Sequence, residues 1–333
     1  MYEHEKRVAV EAALEAARVC VAVQQGMVGT MEKEDKSPVT VADFGSQALV
    51  CRRLKEHFPD DPIVAEEDAS DLRKGGQNGM VAQICSYVAS VQDGVNPETL
   101  CDWIDLGNGS VANRFWTLDP IDGTKGFLRK EQYAVALALI EAGQVKVGVL
   151  VCPSMPVDME AETGDCGVLF VAVRGEGTQV GRLKDKGLVS AGVVKEQGGI
   201  SWRFVESVEA SHSDQDHQGA IARSVGIQAP SLRMDSQTKY GAVARGDAVL
   251  YLRLPSPKYP DYREKIWDHA AGSLVVEESG GKVTDMHGKP LDLSSSHLMM
   301  ENRGVVVSNG EIHEDVIAAL AGRDTSGDDC AEL

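Results

Sequence analysis

Helical and strand-like patterns alternate along the chain and predict an α/β or α+β fold. Apolar positions switch between a period near 3.6 and a period of 2, and no internal repeat or long low-complexity tract interrupts them. At 333 residues the chain exceeds what one small core can use, so two fused lobes are expected, over residues 1–179 and 180–323.

The first lobe opens with an amphipathic helix over 5–25 and a second helix over 42–58. A short apolar strand follows at 63–66, and 115–119 read as a buried strand. Residues 133–141 and 145–151 form two strands joined by a short Gly turn within Glu141-Ala142-Gly143-Gln144, extending the sheet that presents Asp119, and 168–174 form another. The connections around 74–114 and 154–166 carry no assignable element. In the second lobe, strands near 203–206, 231–234, 248–252 and 305–308 alternate with helices 214–226, 236–244, 269–279 and 311–322. Gly280-Gly281 stops the third of these helices, and Asp324–Leu333 is expected to be a disordered tail.

Hydrophobic residues make up 43% and charged residues 25%, close to average globular usage, and no apolar run approaches a membrane span. A formal net charge of −18 argues against nucleic acid and anionic lipid as partners, since both need clustered Lys and Arg. The seven cysteines show no CxxC and no zinc-like spacing, which fits a reducing compartment; Cys152 and Cys166 flank a loop and are candidates for a regulatory disulfide. The N-terminus has neither a signal peptide's apolar core nor an Arg- and Ser-rich transit segment. Cytoplasm is the expected location, with a chloroplast or mitochondrial matrix as the alternative if a transit peptide has been trimmed. A monomer is the default expectation.

The most informative stretch is Trp116–Phe127, where Asp119-Pro120-Ile121-Asp122-Gly123-Thr124 follows the buried strand. Pro120 fixes one φ angle and Gly123 permits a sharp turn, bringing two carboxylates to one side. The turn also frees the Ile121 carbonyl and aims the Gly123 and Thr124 N–H groups outward toward an anion. Such a constellation suits magnesium, which takes a few carboxylates and leaves room for phosphate oxygens. Asp-Pro and Asp-Gly are also ordinary turn dipeptides, so the other acidic segments matter. Asp43 stands at the opening of a helix, where it either caps the backbone or serves a site. Of Glu66, Glu67 and Asp68, one faces a metal and at least one faces water, unless all three form a solvated acidic loop. Asp268 precedes small residues at a helix start and reads as an N-cap, a position where anions and metals also gather. Many converging carboxylates and an anionic substrate share a cleft only if cations offset their charge, so the acidity supports a metal requirement.

Together these residues resemble the lithium-sensitive, magnesium-dependent phosphatase superfamily that includes inositol monophosphatase and fructose-1,6-bisphosphatase. Gly123-Thr124-Lys125-Gly126-Phe127-Leu128-Arg129 resembles the 3′(2′),5′-bisphosphate nucleotidase branch, especially its plant and fungal forms, over residues 1 to about 320. The resemblance implies a layered αβαβα fold with the active site between the lobes. It makes Glu66, Asp119, the Ile121 carbonyl, Asp122 and Asp268 the ligands of two or three magnesium ions, and Asp43 and Thr124 the water-activating pair. Substrate binding would fall to Gly123, Thr124, His212, Ser236, Lys239, Arg253 and Asp268, with the two cations directed at a 5′-phosphate. Lys239 and Arg253 have a plainer reading as surface cations covering apolar neighbours with their stems, and His212 as a structural histidine. The implied activity is hydrolysis of the 3′-phosphate of 3′-phosphoadenosine 5′-phosphate (PAP) to AMP, with 3′-phosphoadenylyl sulfate (PAPS) as a second substrate and inhibition by lithium. An inositol polyphosphate 1-phosphatase and a non-catalytic nucleotide sensor are the alternatives.

Overall fold

The computed structural model describes residues 1–26, 41–74, 77–161, 164–185, 187–208, 215–256, 258–259 and 261–324. In chain order the elements of the first half are α1 (Glu3–Gly26), α2 (Val41–His57), β1 (Ile63–Ala65), α3 (Asn78–Ala89), α4 (Pro97–Asp105), β2 (Arg114–Asp122), α5 (Thr124–Leu128), β3 (Ala134–Glu141), β4 (Gln144–Pro156), β5 (Cys166–Val173), β6 (Gly177–Arg182) and β7 (Leu188–Ser190). The second half contains β8 (Phe204–Glu206), α6 (Gln215–Ser224), β9 (Leu232–Arg233), α7 (Thr238–Arg245), β10 (Leu250–Arg253), a 3₁₀ turn (Ile266–Asp268), α8 (Ala270–Glu277), β11 (Lys282–Thr284), β12 (Val305–Ser308) and α9 (His313–Asp324).

Strands β1 to β7 form one sheet in sequence order, parallel only between β1 and β2, and the second sheet runs β11-β12-β10-β8-β9. The first sheet therefore extends past residue 179, through Ser190. Side-chain alternation assigns its faces. In β3, Val135, Leu137 and Leu139 pack with α1 and α2, while Ala134, Ala136, Ala138 and Ile140 join α7 and α8 in a second core. Small residues on the second face let α8 come close: Ala138, Gly148 and Ala172 lie in one row across β3, β4 and β5. A third core lies beyond the second sheet, where Phe204, Leu250 and Val306 meet Ile221 of α6 and Val316 of α9. The resulting layers are α, β, α, β, α, as the resemblance implied.

Most expected elements are present within a residue or two. The hairpin turn is made by Ala142 and Gly143, both with positive φ (51° and 74°), the backbone a two-residue connection between twisted strands requires. The unassigned stretch at 74–114 holds α3 and α4, the latter started by an Asn96–Thr99 capping box and a Pro at its first turn. Helix α9 includes Asp324, and the rest of the expected tail lies outside the described residues. The six described cysteines are free thiols; Cys152 is buried opposite Val168 while exposed Cys166 pairs with Pro156, so the strand register does not place the proposed disulfide partners opposite one another. Among the described residues no helix is long and apolar enough to cross a membrane.

Candidate active site

Asp119 and Asp122 are three residues apart, a spacing that in a regular strand puts side chains on opposite faces. The ladder between β2 and β3 shifts here: Asp119 pairs with Ala136 and Asp122 with Ala134, three steps on one strand against two on the other. This bulge returns Asp122 to the face of Asp119, and both line one cleft of about 280 Å³. The Ser46 hydroxyl of α2 donates to the Pro120 carbonyl at 2.8 Å and holds the bulge from behind. Gly123 takes φ 89°, as the turn demands, and leads into α5.

Glu66 follows β1, whose Val64 carbonyl accepts from Thr117 at 3.0 Å, and Gln47 of α2 clamps the next residue by accepting from the Glu67 N–H at 3.0 Å. Asp268 arrives from the opposite wall, at the end of the 3₁₀ turn. It is not the N-cap of α8; His269 occupies that position and makes no side-chain capping bond. Gln237 ties the walls together. Its N–H donates to Asp122 Oδ2 at 2.6 Å, its side-chain N–H to the Trp267 carbonyl at 2.9 Å, and its Oε1 accepts from the Gly272 N–H at 3.0 Å.

These acids crowd one another. Burial, followed by the charge of Glu66, pushes the Asp119 carboxyl well above the usual carboxylate range, and Asp119 Oδ1 is enclosed with no hydrogen-bond partner. Burial likewise raises Asp122 despite Lys239 and the Gln237 N–H, and raises Asp268 to about 7, with His269 opposing and Asp122 adding. The Glu66 carboxyl is also raised, by surrounding protein and then Glu67 and Asp43, although its side chain stands open to the cleft, where water screens part of the effect. A charge-bearing oxygen without a donor, amid mutually repelling acids, is the environment a divalent cation satisfies. A second acidic group, Glu264, Asp268 and His269, has its ligand atoms within 4.8 Å of one another. Its Glu264 is already matched: burial alone would raise that carboxyl, but Arg253 and His269 hold it at about 2.

Cations and small donors face the acids. Lys239, 4% exposed, sits over the Tyr251 ring at 5.1 Å, and burial lowers its ammonium to about 8 against the pull of Asp122. Arg253 ends β10 and bonds Glu264 through Nε at 3.0 Å. Neither cation is a surface residue covering apolar neighbours. Ser236 is left-handed (φ 64°) and stands against Gly123, where an added Cβ would lie 2.8 Å from the Ser236 Cβ.

The cleft thus gathers Glu66, Asp119, Ile121, Asp122, Gly123, Thr124, Ser236, Lys239, Arg253 and Asp268. The Thr124 hydroxyl donates to the Ile121 carbonyl at 3.3 Å. Asp43 is the third residue of α2, in the first turn of that helix as expected; it is 1% exposed, and its charge reaches the cleft by raising Glu66, Glu67 and Asp119. His212 lies outside the described residues. Sequence reasoning missed Gln237, Tyr240, Glu264 and His269. The last two flank Asp268 in Glu264-Lys265-Ile266-Trp267-Asp268-His269, and that density of ionisable groups was the available signal.

Five alternating layers around an acid-lined cleft define the inositol monophosphatase fold. The structure aligns with an IMPase of Thermotoga maritima at a TM-score of 0.64 and 20% identity, covering 98% of this chain and 99% of that one. CysQ from Bacteroides thetaiotaomicron, a bacterial member of that family, also aligns at 0.64, with 19% identity and 93% and 98% covered. The model of the inositol monophosphatase family matches residues 1–324, and the chain belongs to that family. Among its relatives are 3′(2′),5′-bisphosphate nucleotidases of Emericella nidulans, 43% identical over 96% of this chain and 98% of the relative, and of Oryza sativa, 42% over 96% and 94%. The one of Schizosaccharomyces pombe is 42% identical over 96% of both.

Proposed function

We propose that the protein is a magnesium-dependent 3′(2′),5′-bisphosphate nucleotidase that hydrolyses the 3′-phosphate of PAP to give AMP and phosphate, with PAPS as a second substrate. The observation that carries this reading is the mixed lining of a single cleft, where the carboxylates Glu66, Asp119, Asp122 and Asp268 and the cations Lys239 and Arg253 meet. The relatives' names favour it over an inositol polyphosphate 1-phosphatase or a non-catalytic nucleotide sensor.

The four carboxylates and the Ile121 carbonyl would be the oxygen donors for two or three magnesium ions, which would supply acidification of a water and compensation of charge on the departing oxygen. Gly123 and Thr124, at the start of α5, turn backbone N–H groups toward the reacting phosphoryl oxygens. Thr124 orients the attacking water through its hydroxyl, which takes the water's proton as its own passes to the buried Asp43 carboxylate, the proton acceptor of the pair. Lys239 and Arg253 hold the second phosphate, with Ser236 beside them and His212 toward the nucleoside; the leaving group is thereby fixed in line. Lithium would inhibit by competing at one magnesium position. The ligand is a small nucleotide, and neither nucleic acid nor membrane is a partner.

Phosphate release tests the proposal, measured on PAP, PAPS and inositol 1,4-bisphosphate with magnesium and with EDTA, for wild type and Asp122→Asn. Magnesium-dependent release from PAP, abolished in a folded Asp122→Asn protein, is expected. Preference for the inositol substrate, or release unaffected by EDTA, would reject it.

A further inference from the structure

Arg253 is held by more than a single ion pair. Glu264 accepts from its Nε with one oxygen, and the other oxygen lies 3.2 Å from His269 Nε2, while His269 Nδ1 lies 2.7 Å from the Tyr240 hydroxyl. Tyr240 cannot shift: its ring lies against Gly272, where a Cβ would come within 2.4 Å of it. The chain Arg253, Glu264, His269, Tyr240 joins β10, the 3₁₀ turn and α7, and all four residues line the cleft. Asp268 lies between Glu264 and His269 in sequence, on the turn they brace.

A carboxylate in the wall of an anion site repels the anion, so Glu264 needs a compensating effect. Its geometry supplies one. Bonded through Nε to Glu264 and hydrogen-bonded as well to the Tyr262 side chain, the guanidinium is restrained about its stem and can turn its remaining N–H groups to a phosphate. Bracing by His269 and Tyr240 fixes the carboxylate that fixes the arginine. We infer that Glu264 is a positioning residue for the phosphate distal to the reaction: it aims Arg253 and holds that cation at a set distance from Asp268, so that the spacing between the two phosphates is measured. This deepens the nucleotidase reading and rests on it.

The test compares adenosine 3′,5′-bisphosphate with adenosine 3′-phosphate, which lacks the distal group, for wild type, Glu264→Gln, Arg253→Ala and the double variant. Glu264→Gln should reduce the kcat/KM preference for the bisphosphate by about tenfold, chiefly through KM, as expected when one charge-assisted contact is misaligned. In the Arg253→Ala background it should cause no further reduction, because it acts through that arginine. An unchanged preference in Glu264→Gln, or an additive loss in the double variant, would overturn the proposal. Should Glu264→Gln not fold, His269→Gln provides the same readout, with a drop of about threefold expected and an unchanged preference counting against the role. If wild type hydrolyses neither compound, the nucleotidase reading fails separately. Calorimetric binding of adenosine 5′-phosphate by the same variants then decides the role of Glu264, with equal affinities in wild type and Glu264→Gln overturning it.

Discussion

Adding one methyl group at Gly148 should disturb both stability and turnover, because helix α8 rests there on bare backbone. A Cβ built on Gly148 stands 2.9 Å from the Ala271 carbonyl oxygen and 3.4 Å from the Leu274 Cβ. The first contact is backbone, which cannot rotate away, so α8 must retreat by a few tenths of an ångström. Overpacking of this kind costs about 1–3 kcal/mol, and the lower unfolded-chain entropy of Ala offsets about 0.4–1 kcal/mol. The net loss of about 1–2 kcal/mol corresponds to a Tm lower by about 1–3 °C for a chain of this size. Only His269 separates Asp268 from the start of α8, so the retreat also displaces a reacting-end carboxylate, and kcat should fall by about tenfold. Differential scanning calorimetry and phosphate release from PAP measure both effects. Gly79→Ala is the control: its Cβ meets nothing within 4 Å, and in helix α3 it should leave Tm unchanged or raise it slightly. A Gly148→Ala protein with wild-type Tm and kcat would refute the argument that this contact sets the position of α8.

Two further expectations concern pH. Burial, with Lys282 adding, lowers the His313 imidazole to about 4, and both ring nitrogens lie 2.8 Å from the Thr284 and Ser308 hydroxyls. The folded state therefore binds this proton less readily than the unfolded chain does; the contribution is complete above about pH 6.5 and lost as pH falls through about 4, a change of up to about 2 kcal/mol after allowance for solvent screening. Tm should drop less steeply from pH 6.5 to 4.5 in His313→Gln than in wild type, and equal slopes would remove His313 as the cause. Burial also brings Lys239 to about 8, so its cation is lost as pH rises through that value. KM for PAP should climb above about pH 8 in wild type and be high but insensitive to that rise in Lys239→Met; a parallel climb in both would assign the titration elsewhere.

The fold was legible where a local rule acts alone. Periodicity marked α1, α2 and the β3–β4 hairpin, and the turn at Ala142-Gly143 followed from residue type. Segments whose structure depends on distant partners were not. The short β6, β7 and β11 owe their pairing to neighbouring strands, and α3 carries Ser, Gln and Cys among its apolar positions, which blurs its period. In the site, residues with strong local context were found, and every residue whose role is to hold another was missed. Nothing in Asp235-Ser236-Gln237 announces that the Gln237 N–H will meet Asp122, 115 residues away. The reading of Asp268 as an N-cap failed because the 3₁₀ turn ends on that residue, which leaves His269 as the N-cap and Ala270 as the first residue of the helix.

Gly123 and Ser236 are both left-handed and touch back to back, one following the first sheet and the other opening the approach to α7. With the Asp122–Gln237 bond beside them, they rivet the floor of the cleft. A clamshell motion hinged there would have to break the hydrogen bond from the Gln237 N–H to the Asp122 carboxylate and separate Gly123 from the Ser236 side chain that stands against it. The two walls of the cleft that meet at Gly123 and Ser236 should therefore move as one body, so that ligand exchange does not require these walls to swing apart.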